Sequence, residues 1–306
     1  MDVSIIIVSY NTKSLIKNCI NSIYKYTKDI SFEIIVSDNG SIDGSVEMIK
    51  RDFPSVILIE NNENLGFGAA NNKGLALAKG KYILYLNSDT ILLNNSVKFF
   101  YDYWEESSEK ENLGALGSNL INENNKIIHS YGTFPNINKE IFTTLKVLIN
   151  VTKFSFLKII FNKNIPSCLE QNIHQYYVGE VDYITGSDLF LKNDSNAYFD
   201  EKFFMYCEET DLQYKLFQKK LKRVIIDGPK IIHLCGASSN FEKKTIDRVS
   251  YFKTFSSIQY YISRIKYFKN RKLSLFKINI LKCLTILIWI NPLLIKKLKI
   301  YIKELN

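Results

Sequence analysis

Three neighbouring carboxylates, Glu208, Glu209 and Asp211, follow the apolar run Phe203-Phe204-Met205-Tyr206 and open a stretch with Leu212, Leu216, Phe217 and Leu221 at helical spacing. Acids in the first turn of a helix are favoured by its macrodipole, a complete structural reason for them. Three exceed what capping needs, and the apolar run is suited to desolvate a carboxylate and raise its pKa toward that of a general base. Asn87-Ser88-Asp89 closes another apolar run, Tyr82 to Leu86. A carboxylate at the end of a buried strand suits a divalent cation whose sphere water or phosphate completes, and it equally suits a turn. His233, one of three histidines, follows the apolar pieces Val224 to Ile226 and Ile231-Ile232, either as a ligand or as a core histidine. Asp38 follows Phe32 to Val36 directly, placed to accept hydrogen bonds from a ribose, a pyrimidine N3–H or its own turn. Asn64-Leu65-Gly66-Phe67-Gly68-Ala69-Ala70-Asn71 nearly matches a dinucleotide fingerprint. Asn71 stands where the third glycine belongs and the run follows the third strand instead of the first, which disfavours nicotinamide binding but keeps a glycine-rich helix entry.

The elements that position these residues alternate. Val3 to Val8 are apolar toward both sides and predict a buried parallel strand, followed by the polar loop Ser9-Tyr10-Asn11-Thr12. Leu15, Cys19, Ile20 and Ile23 have helical spacing; further strands are predicted at Phe32 to Val36, Val56 to Ile59 and Tyr82 to Leu86, with helices between them. That order predicts an α/β fold, a parallel sheet with right-handed crossovers and chemistry at the carboxyl ends of its strands, where the polar clusters fall. After about residue 112 the pattern becomes mixed, and the apolar stretch 145–161, with Lys146, Lys153 and Lys158, reads as a core helix ahead of an interfacial one.

With 306 residues, 46% hydrophobic and 13% aromatic against 23% charged, the chain buries a large core, which excludes a disordered or fibrous protein. The net charge of +9 is confined to one end: residues 242–306 carry 15 Lys or Arg and 3 acids, or +12, leaving −3 for residues 1–241. The longest uncharged run there, Cys283 to Ile295, has 13 residues and contains Pro292, too short to span about 30 Å of hydrocarbon. Aromatic residues between cations fit an anionic leaflet; the alternative is that these helices pack as ordinary core or as a homodimer interface. No recognition motif accompanies the basic stretch, so nucleic acid is not an expected partner. The five cysteines are odd in number and show no CxxC pair. Because Met1-Asp2 leads straight into the first strand, a reducing cytoplasm is expected.

In this order, Val3 to Asn11, Val36-Ser-Asp-Asn-Gly-Ser-Ile-Asp-Gly-Ser45, Asn64 to Asn71, Leu86-Asn-Ser-Asp-Thr90, Gly186-Ser187, Phe199 to Leu212 and His233 resemble the family 2 glycosyltransferases of the GT-A fold, most closely the rhamnosyltransferase-like branch. The resemblance implies a Rossmann-like, mostly parallel twisted sheet flanked by helices. The catalytic domain would span residues 1–240, with a nucleotide-binding half over 1–112 and an acceptor-binding half over 113–240, and 241–306 would be a helical basic extension. It also implies inverting transfer of a sugar from a nucleoside diphosphate donor, UDP- or dTDP-linked and including dTDP-rhamnose. The acceptor would be a hydroxyl of a glycan or polyprenyl-linked molecule in bacterial surface polysaccharide synthesis, at the inner face of the plasma membrane. Ser9, Tyr10, Asn11, Asp38, Asn39, Asn64, Gly66, Phe67, Asn71, Asn87 and Asp89 would bind the donor, with Asp38 on the nucleobase. Asp89 and His233 would hold Mg²⁺ or Mn²⁺, Glu209 would be the base with Glu208 and Asp211 as alternatives, and Gly186, Ser187 and Asp188 would face the acceptor. The chain departs from the family in having Asn87-Ser88-Asp89 for Asn-Pro-Asp and Glu209 where Asp is more usual. Two other functions are weighed against this one: a catalytically inactive sugar-nucleotide-binding scaffold, and a glycoside hydrolase using Glu209 with a second carboxylate. The hydrolase leaves Asp38 and Asp89 unused.

Overall fold

Val3, Ile5, Ile6 and Ile7 have no exposed surface, as a strand covered on both faces must. In the computed structural model, which describes residues 1–151, 175–234, 255–289 and 302, they form β1 (Val3–Ser9). β1 pairs in parallel with β2 (Phe32–Asp38) on one side and β4 (Tyr82–Asn87) on the other, and β3 (Ile57–Glu60) extends the ladder beyond β2. The eight-stranded sheet runs β3-β2-β1-β4-β10-β6-β11-β8, where β6 is Leu113–Ser118, β8 Gly179–Glu180, β10 Asp188–Lys192 and β11 Lys222–Ile226. Four neighbouring pairs are parallel, β10 runs against both β4 and β6, and β8 runs against β11. The expected mostly parallel sheet is therefore present, with two reversed strands.

Helices α1 (Lys13–Tyr26), α2 (Ser45–Asp52), α3 (Phe67–Leu75) and α4 (Ser96–Glu106) flank it. α3 lies so close to the sheet that a Cβ on Gly74 would come within 2.5 Å of Ile6. Short strands β5 (Thr90–Leu92) and β12 (Ile231–His233) pair with each other, as do β7 (Tyr131–Gly132) and β9 (Tyr183–Ile184). The register puts Ser9 opposite Asp38 and Val8 opposite Asn87. Three carboxyl-terminal strand ends thereby share one edge.

The described residues divide into two compact units. One contains 1–134, 175–201 and 208–234, including both layers around the sheet; the other contains 135–151, 202–207 and 255–289. The second unit is drawn from more of the chain than a terminal extension beginning at residue 241, because Ile137 and Phe203 share its buried cluster with Ile258, Ile262, Ile265, Phe268, Ile278 and Leu281. Its helices are α5 (Ile137–Val151), α7 (Phe255–Asn270) and α8 (Leu275–Trp289), while α6 (Glu208–Gln218) belongs to the first unit. Among the described residues no helix is long and apolar enough to cross a membrane. Cys19 and Cys207 are buried, and Cys283 is exposed. Cys168, Cys235, the apolar stretch beyond 151, the aromatic and basic residues 251–253 and the uncharged run beyond 289 lie outside the described residues.

Candidate active site

A continuous chain of contacts crosses the carboxyl edge of the sheet in the first unit. It starts at Asp38, which is only 1% exposed. Its Oδ1 and Oδ2 accept hydrogen bonds from the Ser41 backbone N–H and hydroxyl, both at 2.7 Å, and the Asn11 N–H donates to the Ser41 oxygen. Asn11 takes a left-handed φ of 54° and accepts from the Ile42 N–H through its side chain, so the loops after β1 and β2 are stapled together. Next to Asp38, the Asn39 N–H donates to the Ser9 carbonyl, and its side-chain amide donates to Asn64 Oδ1 and the Gly66 carbonyl. Asn64 Oδ1 also accepts from the Gly66 N–H. The entry to α3 is thereby tied to the strand ends.

Phe67, the first residue of α3, continues the chain. A Cβ on Gly186 would lie 3.2 Å from the Phe67 ring and 3.8 Å from Glu209 Cβ. A side chain at Gly186 would therefore crowd the Phe67 ring, with Glu209 close by. Ser187, the next residue, receives a hydrogen bond from the Asn87 amide at 3.2 Å and lies 3.4 Å from His233 Nδ1. His233 Nε2 lies 3.4 Å from the Asn87 amide and 3.3 Å from Asp89 Oδ1. The imidazole is carried there by β12, in which His233 pairs with Thr90 and the Leu234 N–H donates to the Asp89 carbonyl.

Asp89 is 2% exposed, and with His233 it offers one carboxylate oxygen and one imidazole nitrogen at one point. Two donors on neighbouring corners of an octahedron of about 2.1 Å radius lie about 3 Å apart, and Mg²⁺ takes only one or two protein ligands when phosphate supplies others. The pair fits a divalent ion shared with a diphosphate. Among the described residues no group of three or more His, Cys, Asp or Glu side chains forms a cage that could hold an ion without such help.

The three clustered carboxylates have separate surroundings. Asp211 is wholly buried and is paired with Lys215 at 2.9 Å, one turn along α6. Glu208 is buried and its Oε2 meets no hydrogen-bond partner; desolvation and the adjacent Glu209 push its carboxyl well above the ordinary range. Glu209 is half-buried, beside Gly186, and accepts from the Thr210 hydroxyl. The chain enters α6 through Tyr206 and Cys207, which take left-handed φ values of 71° and 66°. Such conformations cost of order 1–3 kcal/mol each and persist only where the surroundings hold them.

Two residues expected at the site stand elsewhere. Asp188 has no exposed surface and its Oδ2 accepts from the Ser118 N–H and hydroxyl, so it lines the interior instead of facing an acceptor. The Asn71 amide bonds back to the Phe67 carbonyl inside α3. Tyr10 is 45% exposed at the rim. Asn72, Ser41 and Ser118 were not singled out in the sequence. The side chain of Asn72 donates to the Phe199 carbonyl and accepts from its N–H, fixing the chain ahead of the acidic cluster. Of the three, only Ser41 left a local signal, the turn spacing Asp38-x-x-Ser41.

Burial lifts the Asp188 carboxyl to about 7, against the lowering effects of Ser118 and the charge of His233. The folded chain then keeps a proton that the unfolded chain releases near pH 4, so this contribution to stability is complete at low pH and is lost as pH rises through about 7. Glu208 acts in the same direction. Melting curves from about pH 5 to about pH 8 should show stability falling, and Asp188→Asn, which has no proton to lose, should flatten that fall by of order a few kcal/mol. An unchanged slope would locate the titration elsewhere.

Residues 4–165 match the profile described as "Glycosyl transferase family 2". The chain is 33% identical over 121 residues to a poly(ribitol-phosphate) beta-glucosyltransferase of Bacillus spizizenii, covering 38% of this chain and 19% of that protein. It is 35% identical over 120 residues to a UDP-Glc:alpha-D-GlcNAc-diphosphoundecaprenol beta-1,3-glucosyltransferase of Escherichia coli, covering 36% and 47%. The chain thus spans less than half the length of either relative. The structure of a mannosyltransferase from Pyrobaculum calidifontis, solved with GDP-Man and Mn²⁺, superposes with a TM-score of 0.54 at 14% identity over 98% of this chain and 74% of that one. The fold is GT-A.

Proposed function

The chain belongs to glycosyl transferase family 2, and from that membership we propose that it transfers a sugar, with inversion, from a nucleoside diphosphate donor to a hydroxyl of a glycan or polyprenyl-linked acceptor in surface polysaccharide synthesis. The observation that carries this reading is the unbroken series from Asp38 through Asn39, Gly66, Phe67, Gly186 and Ser187 to His233 and Asp89, with Glu209 beside Gly186. The residues it joins come from the end of β2, the turn after β4, the start of α3, the segment before β10, the start of α6 and the end of β12.

In this account the stapled loops 9–11 and 38–41 receive the nucleoside, Asp38 using lone pairs that Ser41 leaves open. Asp89 and His233 hold the divalent ion, Mg²⁺ or Mn²⁺, which when bound supplies positive charge against the diphosphate of the leaving group. Asn87 and Ser187 keep the imidazole of His233 turned toward Asp89. Gly186 lets the reacting groups approach the backbone, as the acceptor oxygen bonds to the anomeric carbon and the bond to the diphosphate breaks. Glu209 takes the acceptor's proton. Of the two adjacent glutamates, burial and the neighbouring carboxylate favour the protonated form of the more deeply buried Glu208, and the half-buried Glu209 is the one assigned as base. Asp211 is occupied by Lys215. The sequence Phe204-Met205-Tyr206-Cys207-Glu208-Glu209 supports the rhamnosyltransferase-like branch, and with it a dTDP- or UDP-linked donor. The working place would be the cytoplasmic face of the membrane.

Thermal melting with UDP, dTDP and GDP, each with and without Mn²⁺, tests the binding half of this reading. One of the first two should raise the melting point, more so with the ion; a ligand at a hundredfold excess over its dissociation constant adds about 2.7 kcal/mol. No response to any nucleotide would remove it.

A further inference from the structure

The second unit carries an exposed apolar face in a strongly basic setting. Residues 255–289 contain seven cations (Arg264, Lys266, Lys269, Arg271, Lys272, Lys277 and Lys282) and no Asp or Glu. α8 packs inward through Ile278, Leu281, Thr285 and Ile288, spaced three and four residues apart. Its first two residues are left outside: Leu275 is 73% exposed and Phe276 74%. Leu273 in the preceding turn is exposed as well, and Phe276, Asn279, Cys283 and Leu287 form a second stripe of exposed positions along the helix without a charge among them. Lys272 is exposed at a left-handed turn, and Lys277 and Lys282 are half-buried beside this stripe. Partial burial and the nearby charge of Lys269 lower the affinity of Lys282 for its proton, so cations are crowded here and an anionic partner would relieve them.

We propose that this face of α8, with the turn that precedes it, is a docking surface for an anionic lipid bilayer, Leu275 and Phe276 entering among the headgroups and Lys272, Lys277 and their neighbours meeting the phosphates. Large side chains exposed in contiguity mark an interaction site, and charge selects the occupant. A second copy of the chain would bring the same cations face to face, whereas each basic residue near an anionic leaflet is attracted to it. An amphipathic helix lying in the interface also needs no spanning length. The inference rests on the membrane-side working place proposed above, and not on the transfer chemistry.

Sedimentation of the full chain with vesicles of phosphatidylcholine alone, or with phosphatidylglycerol added, tests it. The chain should sediment with the anionic vesicles and be partly released by salt. Leu275→Ser with Phe276→Ser should weaken this partition by at least about tenfold, while Lys272→Gln with Lys277→Gln should weaken binding to the anionic vesicles alone and flatten the salt dependence. These positions are exposed or half-buried, and unchanged melting curves verify that the variants fold. Wild-type partition in the Leu275/Phe276 variant, equal binding to neutral and anionic vesicles, or a dimer in solution that this variant dissolves with no vesicle binding would each overturn the proposal. Nucleotide-induced stabilisation of the wild type is read separately. Its failure sinks the transfer reading and leaves the docking result standing.

Discussion

Glu209→Gln is expected to lower sugar transfer by roughly 10²- to 10⁴-fold, the usual range for losing a general base, while nucleotide binding persists. Glutamine keeps the shape and the hydrogen bond from Thr210 but cannot take a proton. The neighbouring change, Glu208→Gln, is expected to be mild for a specific reason. Glu208 is buried, with one oxygen that meets no donor, and desolvation together with the adjacent Glu209 raises its pKa, which favours the protonated form. An amide resembles that state. Steady-state rates of the two variants at saturating donor would settle which glutamate acts: the reverse order of severity moves the base to Glu208.

The second large effect concerns Asp89. Asp89→Ala should remove the Mn²⁺-dependent part of nucleotide binding, read as melting-point shift, and with it transfer. Asp89 lies two residues beyond Asn87, the last residue of β4, and not within the apolar layers, and its charge partner His233 keeps its backbone pairing to Thr90 in the variant. The fold should therefore persist. Undiminished metal dependence of nucleotide binding in the variant would show that the ion is held elsewhere.

Much of the first unit was legible because β1, β2 and β4 are continuous apolar runs ending in polar residues, the pattern a buried parallel strand must have. β10 was not. Its five residues lie between β4 and β6 only because Phe190 meets Leu84 and Leu116, partners 106 and 74 positions upstream in the chain, and no local pattern announces such a pairing. A separation of 70 positions hid Ser118, which makes Asp188 an interior group. His233 could be recognised as a candidate from its type and the apolar residues before it, but its place beside Asp89 is fixed by β12 pairing with β5. Asp211 carried a readable sign: Lys215 stands four residues on, the spacing at which opposite charges meet along a helix. The boundary of the second unit escaped because residues 202–207 join it from within a segment whose neighbours on both sides belong to the first.

The central claim is transfer with inversion, and the stereochemistry of the product tests it most directly. The full chain would be incubated with Mn²⁺, a polyprenyl diphosphate-linked N-acetylglucosamine acceptor, and UDP-glucose, UDP-galactose or dTDP-rhamnose in turn, and the anomeric proton of any new glycoside assigned by nuclear magnetic resonance. The account predicts a glycoside from at least one donor, with anomeric configuration opposite to the donor's and lost in Glu209→Gln. A glycoside that keeps the donor's configuration, or release of free sugar with no glycoside from any donor, would contradict it.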